Sequence, residues 1–161
     1  MRDRYIYNQT YVGKYKVKVL QDDDPMNPRT EMDNMTEMIC FHNRYRLGDD
    51  HGMTVDDLEE YCKRKDVYSL PLYLYDHSGI TMSTGPFSCP WDSGQVGRIC
   101  MDRETYLKEF NVKRVNKKHI YEILEADVKI YDQFLTGEVY GYVVEDEYGN
   151  HVDSCWGFFG E

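Results

Sequence analysis

Several features that would point directly to a function are missing from this 161-residue chain. No segment approaches the roughly 20 consecutive apolar residues that a membrane-spanning helix needs. The first residues, MRDRYIYNQTY, also lack the apolar core and small-residue cleavage site of a secretory signal. We therefore expect a cytoplasmic protein that makes no use of a membrane.

The cysteines are few and scattered. There are five, an odd number, and none forms a CxxC pair or shows the spacing of a zinc site. This excludes a disulfide framework and a structural zinc centre as the basis of the fold. We expect reduced and mostly buried thiols at Cys40, Cys62, Cys89, Cys100 and Cys155.

Basic residues are also in short supply. The chain has 19 Lys and Arg against 29 Asp and Glu, a net charge of −10. The imbalance comes from two acidic blocks, because residues 21–60 hold 12 acidic and 3 basic residues and residues 122–161 hold 10 and 1. Binding of nucleic acid through its phosphates needs a basic surface, so direct nucleic-acid binding is not expected. Charge of this sign suits a basic partner, or simply a protein that has to stay soluble.

The hydrophobic pattern predicts an α+β fold: one domain over residues 1–161, with a mixed, mainly antiparallel sheet and two to three helices packed on one face. Alternating or short apolar runs predict strands at 15–20, 38–41, 67–75, 95–101, 139–144 and 151–159. Helical spacing and N-terminal capping residues predict helices after Thr54, after Asp102 and over 117–135.

A long run of small, turn-forming residues separates two of the predicted strands. It follows Asp76 and reads HSGITMSTGPFSCPWDSGQVG. An ordered loop of this length is more often functional than a plain connection. One hypothesis is that His77 acts as the base for Cys89, with Asp92 orienting the imidazole.

Other assignments within this loop remain open. Ser78 or Ser88 can replace Cys89 as the nucleophile, and Asp76 can replace Asp92. Against all of them, no G-x-S-x-G, papain or caspase signature is present. Asp and Ser side chains in such loops also commonly do no more than cap backbone groups.

The run Asp22-Asp23-Asp24 suggests a second hypothesis. With Asp33, Asp49 or His42 nearby, its carboxylates would suit Mg²⁺, Mn²⁺ or Ca²⁺. However, the chain lacks the D-x-D-x-D-G ladder of an EF-hand, and solvated acidic loops are commoner than metal sites. We therefore predict no metal and no cofactor.

A third hypothesis uses the charge itself. If carboxylates from both acidic blocks gather on one surface, their density can approach that of duplex phosphates and compete for a basic groove. The residues predicted to bind such a partner are Asp22, Asp23, Asp24, Asp49, Asp50, Glu145, Asp146 and Glu147.

The segments QDDDPMNPR, MICFHNRYRLGD, LPLYLYDHSGITMSTGPFSCPWDSGQVG, YDQFLTGEVYGYVVEDEYG and DSCWGFFG cover most of residues 15–160. Together they resemble an uncharacterised family of small acidic proteins encoded by phages, plasmids and other mobile elements of bacteria and archaea. The resemblance brings no activity, cofactor or catalytic residue. It implies a genetic setting in which small acidic proteins often block host defence proteins that act on nucleic acid.

The sequence therefore predicts a cytoplasmic binding protein, without catalysis, that offers an acidic, Tyr-rich face to a basic host protein such as a nuclease. The alternative is a small enzyme or ligand-binding domain that uses the loop of His77, Cys89 and Asp92. A third interpretation is a virion or assembly component, and the sequence does not define an oligomeric state.

Overall fold

A computed structural model describes residues 6–160 of the chain. They divide into two compact units: residues 6–26 with 133–160, and Asn27–Asp132. Over these residues the chain forms eight strands and three helices in two antiparallel sheets, so the predicted α+β class is confirmed. The single-domain organisation stays a prediction. No helix in the described part has the length and apolar character needed to cross a membrane.

The elements follow one another as listed here. The strands are β1 Ile6–Val12, β2 Tyr15–Gln21, β3 Glu37–Cys40, β4 Val67–Asp76, β5 Ile80–Ser83, β6 Ser93–Asp102, β7 Val139–Glu145 and β8 His151–Phe159. The helices are α1 Val55–Cys62, α2 Arg103–Glu109 and α3 Lys117–Thr136.

The first unit contains a four-stranded sheet in the order β1-β2-β7-β8. The hairpin β1–β2 pairs with the hairpin β7–β8 through β2 and β7, and Val19 lies opposite Tyr142. The predicted C-terminal hairpin is present, with Gly149 at a positive φ in its turn. Leu20 and Val139 are the buried side chains of this sheet.

The second unit is built on a sheet in the order β3-β6-β4-β5. Leu58 of α1 packs with Ile39, Val67 and Cys100, which the strand register places on one face of the sheet. Tyr121 of α3 meets the ring of Tyr68, whose side chain belongs to the opposite face. The helices therefore cover both faces of this sheet, which differs from the one-sided packing expected from the sequence.

The helix ends agree with the sequence signals. Thr54 and Asp57 form a capping box at the start of α1, and Asp102 accepts a hydrogen bond from Thr105 N–H at the start of α2. Before α3, Asn116 Oδ1 accepts from His119 N–H at 3.2 Å. The predicted apolar stripe of α3 is its buried face: Ile120, Leu124, Val128 and Tyr131.

Pro71 lies in β4, close to a bulge. The register shift falls between Leu72 and Tyr73, and β5 pairs only with residues from Tyr73 onwards. One side of β4 is thus free at Pro71, where a missing N–H costs no ladder hydrogen bond. The strand β5 itself was read from the sequence as part of a loop, because four residues give too little periodicity to recognise.

The sequence reading also missed β1. All seven of its side chains are exposed, and its sequence, IYNQTYV, does not alternate apolar with polar residues as a strand with one buried face would. The division of the strands into two sheets was not predicted either, because the β2–β7 pairing joins residues more than 100 positions apart.

Candidate functional site

The central loop begins with a tight turn at the end of β4. Asp76 pairs with Ile80, and the three residues between them form the turn, in which His77 N–H donates to the carbonyl of Gly79 at 2.9 Å. Ser78 has a φ of 56°, a left-handed conformation uncommon outside glycine. The turn holds the His77 side chain at the rim of the sheet.

The structure brings together two of the three residues predicted from this loop. His77 Nδ1 lies 3.1 Å from Asp92 Oδ2, and the two side chains are 64% and 41% exposed. The backbone supports this arrangement, because Asp76 N–H donates to the carbonyl of Asp92 at 2.8 Å. Cys89 is not part of the pair: within residues 6–160 no hydrogen bond joins its Sγ to His77, and its carbonyl accepts from Ser93 Oγ.

A small hollow of about 270 Å³ opens beside this pair. It is lined by Asp92 and by Arg44, whose guanidinium donates to Asp76. The Trp91 side chain at its edge is 91% exposed. His42 Nδ1 accepts from the backbone N–H groups of Arg44 and Tyr45 at 3.0 and 3.1 Å. Since Nδ1 is an acceptor, the proton of neutral His42 lies on Nε2.

Chemically, the loop offers a base with an orienting carboxylate but no nucleophile bonded to the base. His77 and Asp92 correspond to the base and the orienting group of a nucleophilic site. Cys89 and His77 are both absent from the lining of the neighbouring hollow. The three predicted residues therefore do not converge there.

The predicted partner-binding carboxylates of the first unit fall into two separate groups. Asp22–Asp24 follow Gln21, which pairs with Tyr140, whereas Glu145–Glu147 begin at the pair of Glu145 with Lys16. Five residue steps separate these positions along the strands, about 17 Å at 3.4 Å per residue. The expected single patch is therefore not formed by these six residues.

Some of these carboxylates already have partners that stabilise the fold. Glu145 forms an ion pair with Lys18 at 2.7 Å. Asp146 accepts from the N–H groups of Tyr148 and Asn150 across the β7–β8 turn. These hydrogen bonds, the one from Asn150 foremost, lower the pKa of Asp146. The side chain of Glu147 is exposed at the tip of the turn.

In the second unit, Asp49 and Asp50 are each paired with an arginine. Asp49 accepts from Arg29 Nε at 2.7 Å and from its Nη2 at 3.0 Å, and it also accepts from Met38 N–H. Asp50 forms an exposed pair with Arg46 at 3.2 Å. Arginine therefore neutralises much of the charge that these residues were expected to present.

Within the described residues, the side chains proposed to bind a divalent cation do not come together. No group of three or more His, Cys, Asp or Glu side chains able to hold a metal ion is found in residues 6–160. Asp22 Oδ1 instead accepts from Asp24 N–H at 3.1 Å, a local turn in which the first aspartate caps the backbone.

A hollow of about 610 Å³ lies on one face of the sheet of the first unit. Its walls are aromatic. The rings of Tyr7 and Tyr140 are 4.9 Å apart, and those of Tyr142 and Phe158 are 6.0 Å apart and stacked. Tyr7 and Phe158 are 45% and 48% exposed. An open aromatic surface of this size is typical of a binding site.

The strand β7 positions two of these rings. Tyr140 and Tyr142 are two residues apart and so point to the same face, while Gly141 between them faces the other way. A Cβ on Gly141 would lie 2.2 Å from the indole of Trp156. Glycine at this position thus lets Trp156 pack directly against the strand, on the face opposite the hollow.

One carboxylate contacts a ring of this hollow, which we call the aromatic hollow of Tyr7, Tyr140, Tyr142 and Phe158. Tyr142 Oη donates to Asp153 Oδ2 at 3.3 Å. The charge of Asp153 raises the pKa of Tyr142, so the hydroxyl stays neutral.

Sequence reasoning missed the aromatic hollow. It predicted only that the partner-binding face would be rich in tyrosine. The run VYGYVV did carry a signal, because alternate tyrosines around a glycine predict aromatic rings on one face of a strand. Tyr7 gave no such signal, since it joins the hollow only through a bulge between Ile6 and Asn8.

No protein-family model matches the chain, and neither a curated protein nor a solved structure matches it. A function for this chain therefore has to be inferred from the geometry and chemistry of its own residues.

Proposed function

We propose that this protein is a binding protein that captures a basic protein partner on the aromatic hollow of its first unit. The observation that carries the proposal is the aromatic hollow itself, with the carboxylate of Asp153 bonded to the hydroxyl of Tyr142. The proposal needs no catalytic step.

The aromatic rings fit a cationic ligand. Lysine and arginine side chains bind over the faces of tyrosine and phenylalanine within about 6 Å of the ring centre, with about 0.5–2 kcal/mol per contact. Tyr7 and Phe158 are partly exposed, so a side chain of a partner can reach them from solvent. Arginine also stacks its planar guanidinium on aromatic rings.

The charge of the first unit favours the same class of partner. Its described residues include eight carboxylates against three lysines: Lys14, Lys16 and Lys18. Lys16 and Lys18 belong to the face of the sheet opposite Tyr142, and Lys18 pairs with Glu145. Lys16 and Lys18 therefore do not face the aromatic hollow, and the net negative charge of the unit would speed encounter with a basic surface.

The finer proposal concerns the identity of the partner. The resemblance to proteins of mobile elements and the net charge of −10 support a cytoplasmic inhibitor of a basic host defence protein, such as a nuclease. Nucleic-acid mimicry would require carboxylates at phosphate-like spacing. The separation of Asp22–Asp24 from Glu145–Glu147 gives this mechanism less support than contact through the aromatic hollow does.

A labelled nona-arginine peptide tests the binding mode. We expect its affinity, measured by fluorescence anisotropy, to fall as salt rises from 50 to 300 mM. Tyr142→Leu should weaken binding about 5- to 30-fold, corresponding to about 1–2 kcal/mol. Tyr148→Leu is the matched control, because Tyr148 is 81% exposed in the β7–β8 turn and does not line the hollow. Equal effects of the two substitutions would refute the proposal.

A second experiment addresses the host partner. The chain and its Tyr142→Leu variant, both immobilised, are used to capture proteins from a host lysate. A nuclease retained only by the unmodified chain is then purified and its cleavage of nucleic acid measured. Inhibition by the chain but not by the variant would support the finer proposal. Retention of the same proteins by both would contradict it.

A second candidate function rests on the contact between His77 Nδ1 and Asp92 Oδ2 at 3.1 Å. A base oriented by a carboxylate can activate a thiol that moves within reach, since hydrogen bonds of this kind tighten on substrate binding. If Cys89 is that thiol, iodoacetamide should modify it faster than the more exposed Cys155, and His77→Gln should abolish the difference. Slower modification of Cys89 in the unmodified chain would exclude this function.

A further inference from the structure

The strand β1 is a sheet edge whose only irregularity lies at its start. It runs from Ile6 to Val12, all seven side chains are exposed, and its sequence IYNQTYV contains no charge, proline or glycine. Among the described residues it pairs with β2 alone. Natural proteins usually shield such an edge with lysine, proline, a bulge or a covering element, and of these β1 itself has a bulge between Ile6 and Asn8.

The other three edges are shielded. Strands β3 and β5 are only four residues long. Strand β8 carries Asp153, two irregularities in its pairing with β7, and Gly157 at a φ of +87°. Short strands and bulges are two of the devices that prevent edge-to-edge pairing. In β1 the bulge lies at the start of the strand, so the edge from Asn8 to Val12 is regular and exposed.

We propose that β1 pairs with β1 of a second copy of this chain, which joins the two four-stranded sheets of the first units into one continuous sheet. This inference goes beyond the proposed function and does not depend on it. Only an antiparallel arrangement brings the same strand of two copies together symmetrically. In the register that we propose, the two-fold axis passes through Gln9.

The sequence of β1 is complementary to itself in this register. With Gln9 opposite Gln9 of the second copy, Asn8 meets Thr10. Polar residues thus face polar ones over the regular part of the strand, which ends at the bulge between Ile6 and Asn8. Cross-strand pairs of these kinds stabilise antiparallel sheets.

The backbone agrees with the same register. Gln9 N–H donates to the neighbouring side-chain oxygen Asn8 Oδ1 at 2.8 Å, which places this N–H on the free edge. Backbone groups two residues apart face the same edge, so Tyr11 N–H also points outward. Gln9 then becomes a hydrogen-bonded pair with its counterpart, with about two hydrogen bonds exchanged across the axis.

Charge also bears on which partner pairs with β1. Each copy carries a net charge of −10, so two copies repel each other at long range. Because β1 itself carries no charge, pairing at this strand brings no like charges of the strand into contact. Pairing of two copies should therefore strengthen as salt rises, whereas binding of a basic partner should weaken.

The test measures mass by light scattering after gel filtration, and by sedimentation velocity, from 1 to 200 µM. We expect a shift towards twice the chain mass of 19.1 kDa at the upper concentrations, and more dimer at 300 than at 50 mM salt. Gln9→Pro removes the outward N–H and should shift the chain to monomer. Gln9→Thr keeps the N–H and should stay dimeric.

Three results would overturn the proposal: a monomer at 200 µM for the unmodified chain, a dimer that persists in Gln9→Pro, or loss of the dimer in Gln9→Thr. If Gln9→Pro does not fold, Gln9→Lys replaces it. That substitution places two like charges across the axis and should weaken dimerisation at least tenfold, with partial recovery in high salt. A dimer unaffected by Gln9→Lys would equally exclude pairing at this edge.

Discussion

Replacing Arg29 by methionine should destabilise the protein strongly. Arg29 is 6% exposed, and its guanidinium binds three residues: Asp49 through two hydrogen bonds, Thr36 through its hydroxyl and carbonyl, and Asp127 at 3.7 Å. Methionine fills a similar length without a charge. Asp49 would then keep its carboxylate without the cation that neutralises it, although that side chain is only 23% exposed.

The expected cost follows from this burial. Breaking a buried ion pair by removing one partner costs about 3–5 kcal/mol, because the remaining charge stays desolvated. For a chain of 150–250 residues, 1 kcal/mol lowers the melting temperature by about 2–4 °C, so Arg29→Met should lower it by about 6–20 °C. The double variant Arg29→Met/Asp49→Asn should recover part of this loss, since both charges are then absent.

The assay is urea unfolding followed by circular dichroism, supported by thermal melts. Arg44→Met is the matched control, because Arg44 also pairs with an aspartate but its side chain is 68% exposed. Exposed pairs contribute up to about 1 kcal/mol. A loss below about 1 kcal/mol for Arg29→Met, or one equal to that of Arg44→Met, would show that the buried charge network does not hold the second unit together.

Three further predictions concern backbone packing, a helix cap and thiol chemistry. Gly141→Ala should cost about 1–3 kcal/mol in urea unfolding, because its Cβ would lie 2.2 Å from the tryptophan packed against β7. Asp57→Asn should lower stability at pH 7, because hydrogen bonds from Thr54 depress the pKa of Asp57 below its ordinary value of 3.8. That contribution is present above pH 3.8 and is lost as the pH falls through the depressed pKa. Iodoacetamide at pH 8 should modify the exposed Cys155 but not Cys40, since burial and then the charge of Asp49 raise the pKa of Cys40 to about 12.

Each of these predictions has a control. Gly85→Ala should be close to neutral, because a Cβ there meets nothing within 4 Å. The Asp57→Asn difference should shrink as the pH falls below 3.8, and a difference that does not change with pH would refute the role of the charge. For the thiols, modification of Cys40 should appear only in denaturant, and rapid modification of the native protein would contradict its burial.

Several elements could be predicted from signals between residues close together in the sequence. Capping by Thr54, Asp102 and Asn116 and the stripe of α3 follow from contacts between residues three or four apart, so no tertiary information was needed. The hairpin around Gly149 is local in the same way. The pairing of His77 with Asp92 was one of several combinations the loop allowed, and only the structure selects it.

Which strands share a sheet, and which side chains meet, depends on contacts between residues far apart in the sequence. The β2–β7 pairing sets the Asp22 loop and the Glu145 turn at opposite ends of two strands, and nothing local to either segment encodes that separation. The aromatic hollow depends on the same pairing, since Tyr7 reaches Tyr140 across the sheet. Local periodicity specifies a strand and its faces, but the choice of neighbouring strand depends on burial summed over the whole chain.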